Sequence, residues 1–148
     1  MIALGCDHAG YPLKEAVKAY LDSIGEAYQD FGTDSEVSVD YPIYAAKAAH
    51  AVADGLCKYG ILCCGTGIGI SIAANKVKGI RAAVCSDAYS TEMTRLHNDA
   101  NILCMGARVI SAQKAIELVQ IFLNTDALNE ERHQRRVKML SDIENGKL

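Results

Sequence analysis

Residues 61–69 read Ile61-Leu62-Cys63-Cys64-Gly65-Thr66-Gly67-Ile68-Gly69, an apolar run followed at once by a glycine-rich turn. The run has the length and composition of a buried strand, and residues 70–75 are typical of a helix that starts directly after the turn. Glycines let backbone N–H groups approach an anion, and a helix N-terminus adds partial positive charge. The sequence therefore predicts the thiol of Cys64 beside a cradle for an oxyanion or a phosphate.

Apolar runs of strand length alternate with helical patterns along the whole chain. The predicted strands are 2–6, 27–31, 60–64, 80–85 and 102–105. The predicted helices are 13–24 between Pro12 and Gly25, an alanine-rich stretch between Asp40-Tyr41-Pro42 and Gly55, 112–123 with Ser111 as N-cap, and about 129–145. This alternation predicts a single α/β domain over 1–148, with a five-stranded parallel sheet covered by helices on both faces.

The carboxyl ends of parallel strands meet at one edge of the sheet, because crossovers in such sheets are right-handed. Ligands bind at that edge, near the point where the strand order reverses. Polar or ionisable residues follow four of the strands: Asp7 and His8, Cys64, Ser86 and Asp87, and Arg108. We therefore expect the functional site there.

The composition excludes several classes of function. The 148 residues carry a net charge of −3, few aromatic residues and no tryptophan, which argues against binding to nucleic acid or to a membrane surface. Residues 1–5 carry no basic targeting segment, and no apolar run is long enough to span a bilayer, so we expect a cytoplasmic protein. The six cysteines form no Cys-x-x-Cys pair and have no zinc-ligand spacing, which predicts reduced thiols and no metal site.

Several residues allow both a functional and a structural interpretation. A helix N-terminus favours the thiolate of a nearby cysteine, which makes Cys64 a usable base or nucleophile. The Asp7–His8 pair either orients the imidazole or binds a sugar hydroxyl, or else Asp7 caps the loop and His8 is exposed. A lone histidine near a helix end, such as His97, is usually structural, although Asn98 beside it could stabilise negative charge.

Basic residues near the C-terminus offer a second anion site. Arg132 and Arg136 are four residues apart and share one helix face, where they form either a phosphate clamp or a solvated surface. Arg108 is either a further phosphate ligand or a structural ion pair. The glycine turn lacks the Gly-x-Gly-x-x-Gly spacing and the position after the first strand that dinucleotide binding requires.

Five segments together resemble the type B ribose-5-phosphate isomerases, whose wider group includes allose- and galactose-6-phosphate isomerases. They are Gly5-Cys6-Asp7-His8-Ala9-Gly10, Asp40-Tyr41-Pro42, the run from Cys64 to Lys76, His97-Asn98-Asp99-Ala100-Asn101 and Arg132-His133-Gln134-Arg135-Arg136. The resemblance implies a Rossmann-like three-layer sandwich without metal or cofactor, acting on a small sugar phosphate. It also implies a homodimer, or a dimer of dimers, with active sites built from both subunits. The thin apolar stripe of Val137, Leu140 and Ile143 on the last helix, about 129–145, indicates that this helix docks on the second subunit.

The resemblance further implies a role for each candidate residue. Cys64 is the base that takes the C2 proton, and Ile70 stands where some members carry a glutamate base instead. Ring opening would be assisted by His97. The groups that contact the substrate are, for the enediolate, Thr66, Asn98 and the backbone of Gly65, Gly67, Gly69 and Ser71; for the sugar, Asp7 and Tyr41; and for the phosphate, His8, Arg108, Arg132 and Arg136.

Three other functions stay open at this point. A hexose 6-phosphate isomerase would use the same chemistry on a substrate with one more carbon. A sugar-phosphate sensor on the same fold would not need a poised base such as Cys64. A thiol redox protein is disfavoured, because no Cys-x-x-Cys partner is present.

Overall fold

The computed structural model describes all 148 residues as a five-stranded parallel sheet with six helices. The strands are β1 Ile2–Cys6, β2 Tyr28–Asp30, β3 Tyr59–Cys64, β4 Ala82–Val84 and β5 Ile102–Gly106. The helices are α1 Tyr11–Ser23, α2 Tyr41–Ala53, α3 Ile68–Ala74, α4 Ala88–Asn98, α5 Ala112–Asn124 and α6 Glu131–Glu144. The sheet order is β2-β1-β3-β5-β4, and every pairing is parallel. The predicted Rossmann-like α/β fold is confirmed.

The sheet is buried on both faces, so its central strands are apolar at every position. Alternate residues point to opposite faces. Cys63 of β3 packs with α1 and α5 on one side, while Leu62 and Cys64 pack with α2 and α3 on the other. The Cys64 thiol is therefore directed to the face that carries the glycine turn and α3.

Helix boundaries follow the predicted capping residues closely. Ser111 Oγ accepts the backbone N–H of Lys114 at 3.1 Å, as expected for the N-cap of α5. Gly25 and Gly55 follow α1 and α2 with φ of 69° and 81°, a conformation that favours glycine.

Two strands and three helices depart from the predictions. Helix α4 is not among the predicted helices, and α1 begins at Tyr11, two residues before the predicted start. Strand β2 covers three residues of the predicted 27–31, and β4 covers three of the predicted 80–85. The latter begins late because the N–H of Ile80 is bonded to the carbonyl of Val77 in a turn. Helix α3 begins at Ile68, two residues before the predicted start, because Gly67 adopts a left-handed φ of 79° and turns the chain at once.

The strand order reverses between β1 and β3, and the loop after β1 lies directly on the end of β3. A methyl group added at Gly10 would lie 2.1 Å from the carbonyl oxygen of Cys63. Only a glycine allows this approach. Residues 7–10 are therefore held against the strand that carries Cys64.

A buried ammonium group supports the same edge of the sheet. Lys14 of α1 is 2% exposed, and its Nζ lies 2.8 Å from Asp30 Oδ2 and 2.7 Å from the carbonyl oxygen of Thr33. The ion pair fastens the segment that follows β2 to α1.

No helix of the chain combines the length and the apolarity that crossing a membrane requires.

Candidate active site

The glycine turn fixes the Cys64 sulfur at the start of α3. The backbone N–H of Gly67 donates to Cys64 Sγ at 3.1 Å, and the N–H of Ile68 donates to Thr66 Oγ1 at 3.2 Å. The sequence places Gly67 here because a residue with a side chain would be strained at its φ. The sulfur and the Thr66 hydroxyl thus share one turn.

Four backbone N–H groups of this turn make no hydrogen bond within the chain: those of Gly65, Thr66, Gly69 and Ile70. Such unpaired donors at a glycine turn are suited to a negatively charged oxygen. Two predicted donors are already in use, which corrects the expectation. The N–H of Gly67 is bonded to the sulfur, and Ser71 gives its N–H to the Gly67 carbonyl and its hydroxyl to the Ile68 carbonyl.

Two polar side chains lie over the turn. A methyl group added at Gly69 would lie 2.8 Å from Cζ of Tyr41, and one at Gly65 would lie 3.3 Å from Nη1 of Arg108. The two missing side chains therefore make room for the phenol and the guanidinium. Tyr41 and Arg108 lie where the sequence predicts them.

Asp7 and His8 each hold a loop by a hydrogen bond. Asp7 is buried, and its Oδ1 accepts the N–H of Gly10 at 2.9 Å, so it caps the turn into α1. His8 Nδ1 accepts the N–H of Val39 at 3.1 Å, which leaves Nε2 as the second ring nitrogen for a ligand. Asp7 thus caps the loop as one interpretation predicts, whereas His8 is partly buried rather than exposed, at the same edge of the sheet as Cys64.

We call the residues at this edge the thiol cluster: Asp7, His8, Tyr41, Cys64, Thr66 and Arg108. A second group lies elsewhere, at the end of α4 and on α6, and we call it the histidine cluster: His97, Asn98, Arg132, His133 and Arg136. Asp87, which follows β4, belongs to neither, since its Oδ1 accepts the N–H of Ser90 at 2.7 Å and caps α4.

The two clusters lie at opposite edges of the sheet. Helix α4 runs back from the end of β4, and the Arg95 guanidinium in its last turn donates to Tyr59 Oη at 2.9 Å, where β3 begins. Cys64 is at the other end of β3, roughly 16 Å away at about 3.3 Å per residue. One chain therefore does not bring His97 to Cys64.

The histidine cluster surrounds a cavity of about 280 Å³ lined by His97, Asn98, His133, Arg136, Val137 and Leu140. Arg136 makes no ion pair within the chain, so its charge is available to an anion. Arg132 is more than half exposed, paired with Glu130 at 3.2 Å, and does not line this cavity. The chain thus presents Arg136, and not Arg132, as the free cation beside His97.

His133 is a member of the cluster that the sequence analysis does not identify. Its ring stacks on that of His97, with centroids 4.2 Å apart and planes 8° from parallel. Burial, with help from the neighbouring His97 and Arg132, lowers the pKa of His133 and favours the neutral ring. The one sequence signal for His133 is its place in the basic run Arg132-His133-Gln134-Arg135-Arg136, which indicates an anion site but not a stack on His97.

The remaining thiols are free and buried. Burial raises the pKa of Cys6 to about 11 and that of Cys63 further, so both stay protonated near neutral pH. No group of three or more histidine, cysteine, aspartate or glutamate side chains is arranged to hold a metal ion. The structure therefore defines an α/β protein with a thiol beside four unpaired backbone N–H groups, at the edge of the sheet where the carboxyl ends of its strands meet.

Comparison with known proteins shows to which family the chain belongs. The model of a family described as Ribose/Galactose Isomerase matches residues 2–140. The ribose-5-phosphate isomerase B of Escherichia coli is 48% identical over 97% of this chain and 95% of its own length. The D-erythrulose-4-phosphate isomerase of Pectobacterium atrosepticum is 43% identical over 84% of this chain and 83% of its own. The structure of ribose-5-phosphate isomerase B from Clostridium thermocellum superposes with a TM-score of 0.95, at 47% identity and 99% coverage of both chains.

The chain belongs to the Ribose/Galactose Isomerase family. The resemblance stated from the five sequence segments is confirmed at the level of the family.

Proposed function

We propose that this protein is an aldose–ketose isomerase that interconverts D-ribose 5-phosphate and D-ribulose 5-phosphate. The observation that carries the proposal is the Cys64 sulfur held beside four unpaired backbone N–H groups. A base next to oxyanion donors is what proton transfer beside a carbonyl requires. The ribose-5-phosphate isomerases among its relatives support the choice of a pentose phosphate.

In the proposed reaction, the Cys64 thiolate takes the proton from C2 of the open-chain aldose. The electron pair of that C–H bond forms the C1–C2 double bond, and the carbonyl π electrons move to O1, which gives an enediolate. The N–H groups of Gly65, Thr66, Gly69 and Ile70 stabilise the charge on the oxygens. Return of the proton to C1, with transfer of the O2 proton to O1 and formation of the C2–O2 carbonyl, gives the ketose. No bond between sulfur and carbon is needed.

Binding energy at the phosphate positions the reacting carbons. Arg136 carries an unpaired charge beside His97, and we assign it to the phosphate together with His8. An anchor at the far end of the sugar holds C1 and C2 against the sulfur without adding groups at the reacting atoms. His97 assists ring opening by moving the proton between the anomeric hydroxyl and the ring oxygen.

We further propose that a homodimer completes each site, because the two clusters of one chain are too far apart to contact one sugar phosphate. Apolar side chains are exposed near both clusters, as expected for surfaces that a second copy covers. Near the glycine turn they are Ile68, Ile72, Val84 and Val109, and on α6 they are Met139, Leu140 and Ile143. The thiol cluster of one subunit would then face the histidine cluster of its partner.

The reducing cytoplasm is the compartment that we propose for the enzyme. Six free cysteines are present and none is paired, and thiols persist in that state where glutathione and thioredoxin keep them reduced.

The first experiment is a substrate panel with Cys64→Ala as the inactive variant. Isomerisation of ribose 5-phosphate, allose 6-phosphate, galactose 6-phosphate and erythrose 4-phosphate is measured with purified protein in the presence of EDTA. We expect the pentose to have the highest kcat/KM and Cys64→Ala to lose about 100-fold or more. Preference for another sugar would reassign the substrate, near wild-type activity of Cys64→Ala would refute the base, and no turnover would favour a sugar-phosphate sensor.

The shared site is tested by mixing two inactive variants. Cys64→Ala and His97→Ala dimers are combined in equal amounts, dissociated with mild denaturant and reassociated. Half of the resulting dimers are mixed, and each carries one complete site of two, so about a quarter of the wild-type activity should return. A mixture that stays as inactive as its components would show that each site lies within one chain.

A further inference from the structure

The His97 ring lacks the hydrogen bonds that usually orient a histidine. No side-chain hydrogen bond of His97 is formed within the chain, although its ring lines the cavity that contains Arg136. A histidine without such bonds can turn about both of its side-chain torsions. Proton transfer demands a fixed ring, because the reacting nitrogen must reach one oxygen of the sugar.

The His97 ring is instead stacked on the ring of His133. The two imidazoles lie face to face, with centroids 4.2 Å apart and planes 8° from parallel. His133 is 8% exposed and sits in the first turn of α6, with its backbone N–H on the Glu130 carbonyl. The His133 ring is therefore held in place, and the His97 ring packs face to face against it.

The His133 ring is itself held in one state. Arg132 Nε lies 3.4 Å from His133 Nε2 and can only donate, so this contact favours the tautomer with the proton on Nδ1. Glu130 Oε2 is 3.7 Å from the same nitrogen, beyond hydrogen-bond distance, and does not require a charged ring. Planar rings stacked at this separation attract each other, which holds the two imidazoles face to face.

We propose that His133 is a positioning residue that acts through His97: the stack sets the plane of the His97 ring toward the cavity shared with Arg136. This inference rests on the proposed function, in which His97 opens the sugar ring. Without the stack, the His97 ring samples orientations that cannot reach the substrate. The loss in kcat/KM for ribose 5-phosphate should be about tenfold, since an unheld catalytic group reacts in only a fraction of its conformers.

The test is a double-mutant cycle with a stacking-competent control. The variants are His133→Ala, His133→Phe, His97→Ala and the double alanine variant. For each, kcat/KM is measured with ribose 5-phosphate, and the inhibition constant is measured with ribitol 5-phosphate, an open-chain phosphate that has no ring to open. We expect His133→Ala to lose about tenfold, His133→Phe to recover to within about threefold of wild type, and the inhibition constant to stay unchanged.

The cycle separates this inference from the proposed function. In the His97→Ala background, the His133→Ala change should have no further effect, because the residue acts through a ring that is already gone. A His133→Ala effect that persists in that background, or that His133→Phe fails to correct, overturns the positioning role alone. A rise of the inhibition constant in step with the loss of kcat/KM would assign His133 to phosphate binding instead. Full activity of His97→Ala would overturn both the role of His97 and this inference.

Discussion

Replacement of Lys14 by methionine should lower the free energy of unfolding by about 3 kcal/mol. The change keeps the length of a side chain that is 2% exposed and removes its ammonium group, which lies 2.8 Å from Asp30 Oδ2. Removing one member of a buried ion pair costs about 3–5 kcal/mol, because the other charge is left uncompensated. Asp30 keeps a hydrogen bond from Gly32 and an ion pair with Lys18 at 3.2 Å, which places the cost at the lower end of that range.

The assay is urea unfolding at one protein concentration, with Lys18→Met as the matched control. With a slope of about 2 kcal/mol per molar urea, a loss of about 3 kcal/mol lowers the midpoint by about 1.5 M. Lys18 contacts the same carboxylate, but its side chain is 31% exposed, so its loss should cost less than about 1 kcal/mol. Equal midpoint shifts for the two variants would show that burial is not what makes the Lys14 pair costly to break.

The acid dependence of the same variant gives an independent check. Burial alone would raise the pKa of Asp30, but the hydrogen bonds from Lys14 and Gly32 outweigh it and hold the pKa below its ordinary value of 3.8. A carboxyl whose pKa is lowered in the folded state stabilises the protein above its ordinary pKa, and this contribution is lost as the pH falls through the folded-state pKa. Wild type should therefore lose stability more steeply than Lys14→Met below about pH 5. Parallel curves would refute the assignment.

Three further predictions concern the glycine turn and the buried thiols. Gly106→Ala should lower kcat about tenfold or more, because its methyl group would lie 2.5 Å from the carbonyl carbon of Thr66, and backbone cannot move aside without shifting the turn; wild-type kcat would contradict this. The three atoms nearest to a methyl group at Gly69 all belong to Tyr41, which is 39% exposed and able to move aside, so Gly69→Ala should raise KM while the free energy of unfolding stays within about 1 kcal/mol of wild type; a large loss of stability would count against it. Cys6, whose pKa burial raises to about 11, should resist iodoacetamide at pH 8 in the folded protein and react in urea, as followed by peptide mass spectrometry; rapid labelling of the folded protein would contradict its burial.

The fold was predictable because its signals are local. Glycine and proline mark the ends of helices, and the central strands are apolar at every position because the sheet is covered on both faces. The short strands at the sheet edges were predicted less well, since Ile80 is apolar for packing and yet lies in a turn. An apolar residue next to a strand therefore does not by itself show where the hydrogen bonds of the sheet begin.

The site was predicted in part, for a related reason. Residues that follow a strand fall at one edge by topology, so Cys64 and Arg108 could be placed together, whereas Tyr41 entered only through the family resemblance. The stack of His133 on His97 joins two different helices, and no spacing within either helix reveals it. The separation of His97 from Cys64 likewise depends on the direction in which α4 runs, and becomes visible only once the sheet order is known.

The four unpaired N–H groups of the glycine turn have a consequence for mutational scanning. A donor on the main chain is present whatever side chain its residue carries, so alanine scanning of Thr66 or Ile70 removes a side chain and leaves the N–H in place. A scan therefore reports on the side chains and not on the donors: alanine at the fully buried Ile70 opens a cavity, and alanine at Thr66 removes the hydroxyl that accepts the N–H of Ile68. Proline lacks the N–H, and only its substitution at such a position, or replacement of the amide by an ester, deletes the donor itself. Comparison of an alanine with an amide-to-ester replacement at one position would then measure how much of the recognition is carried by the backbone.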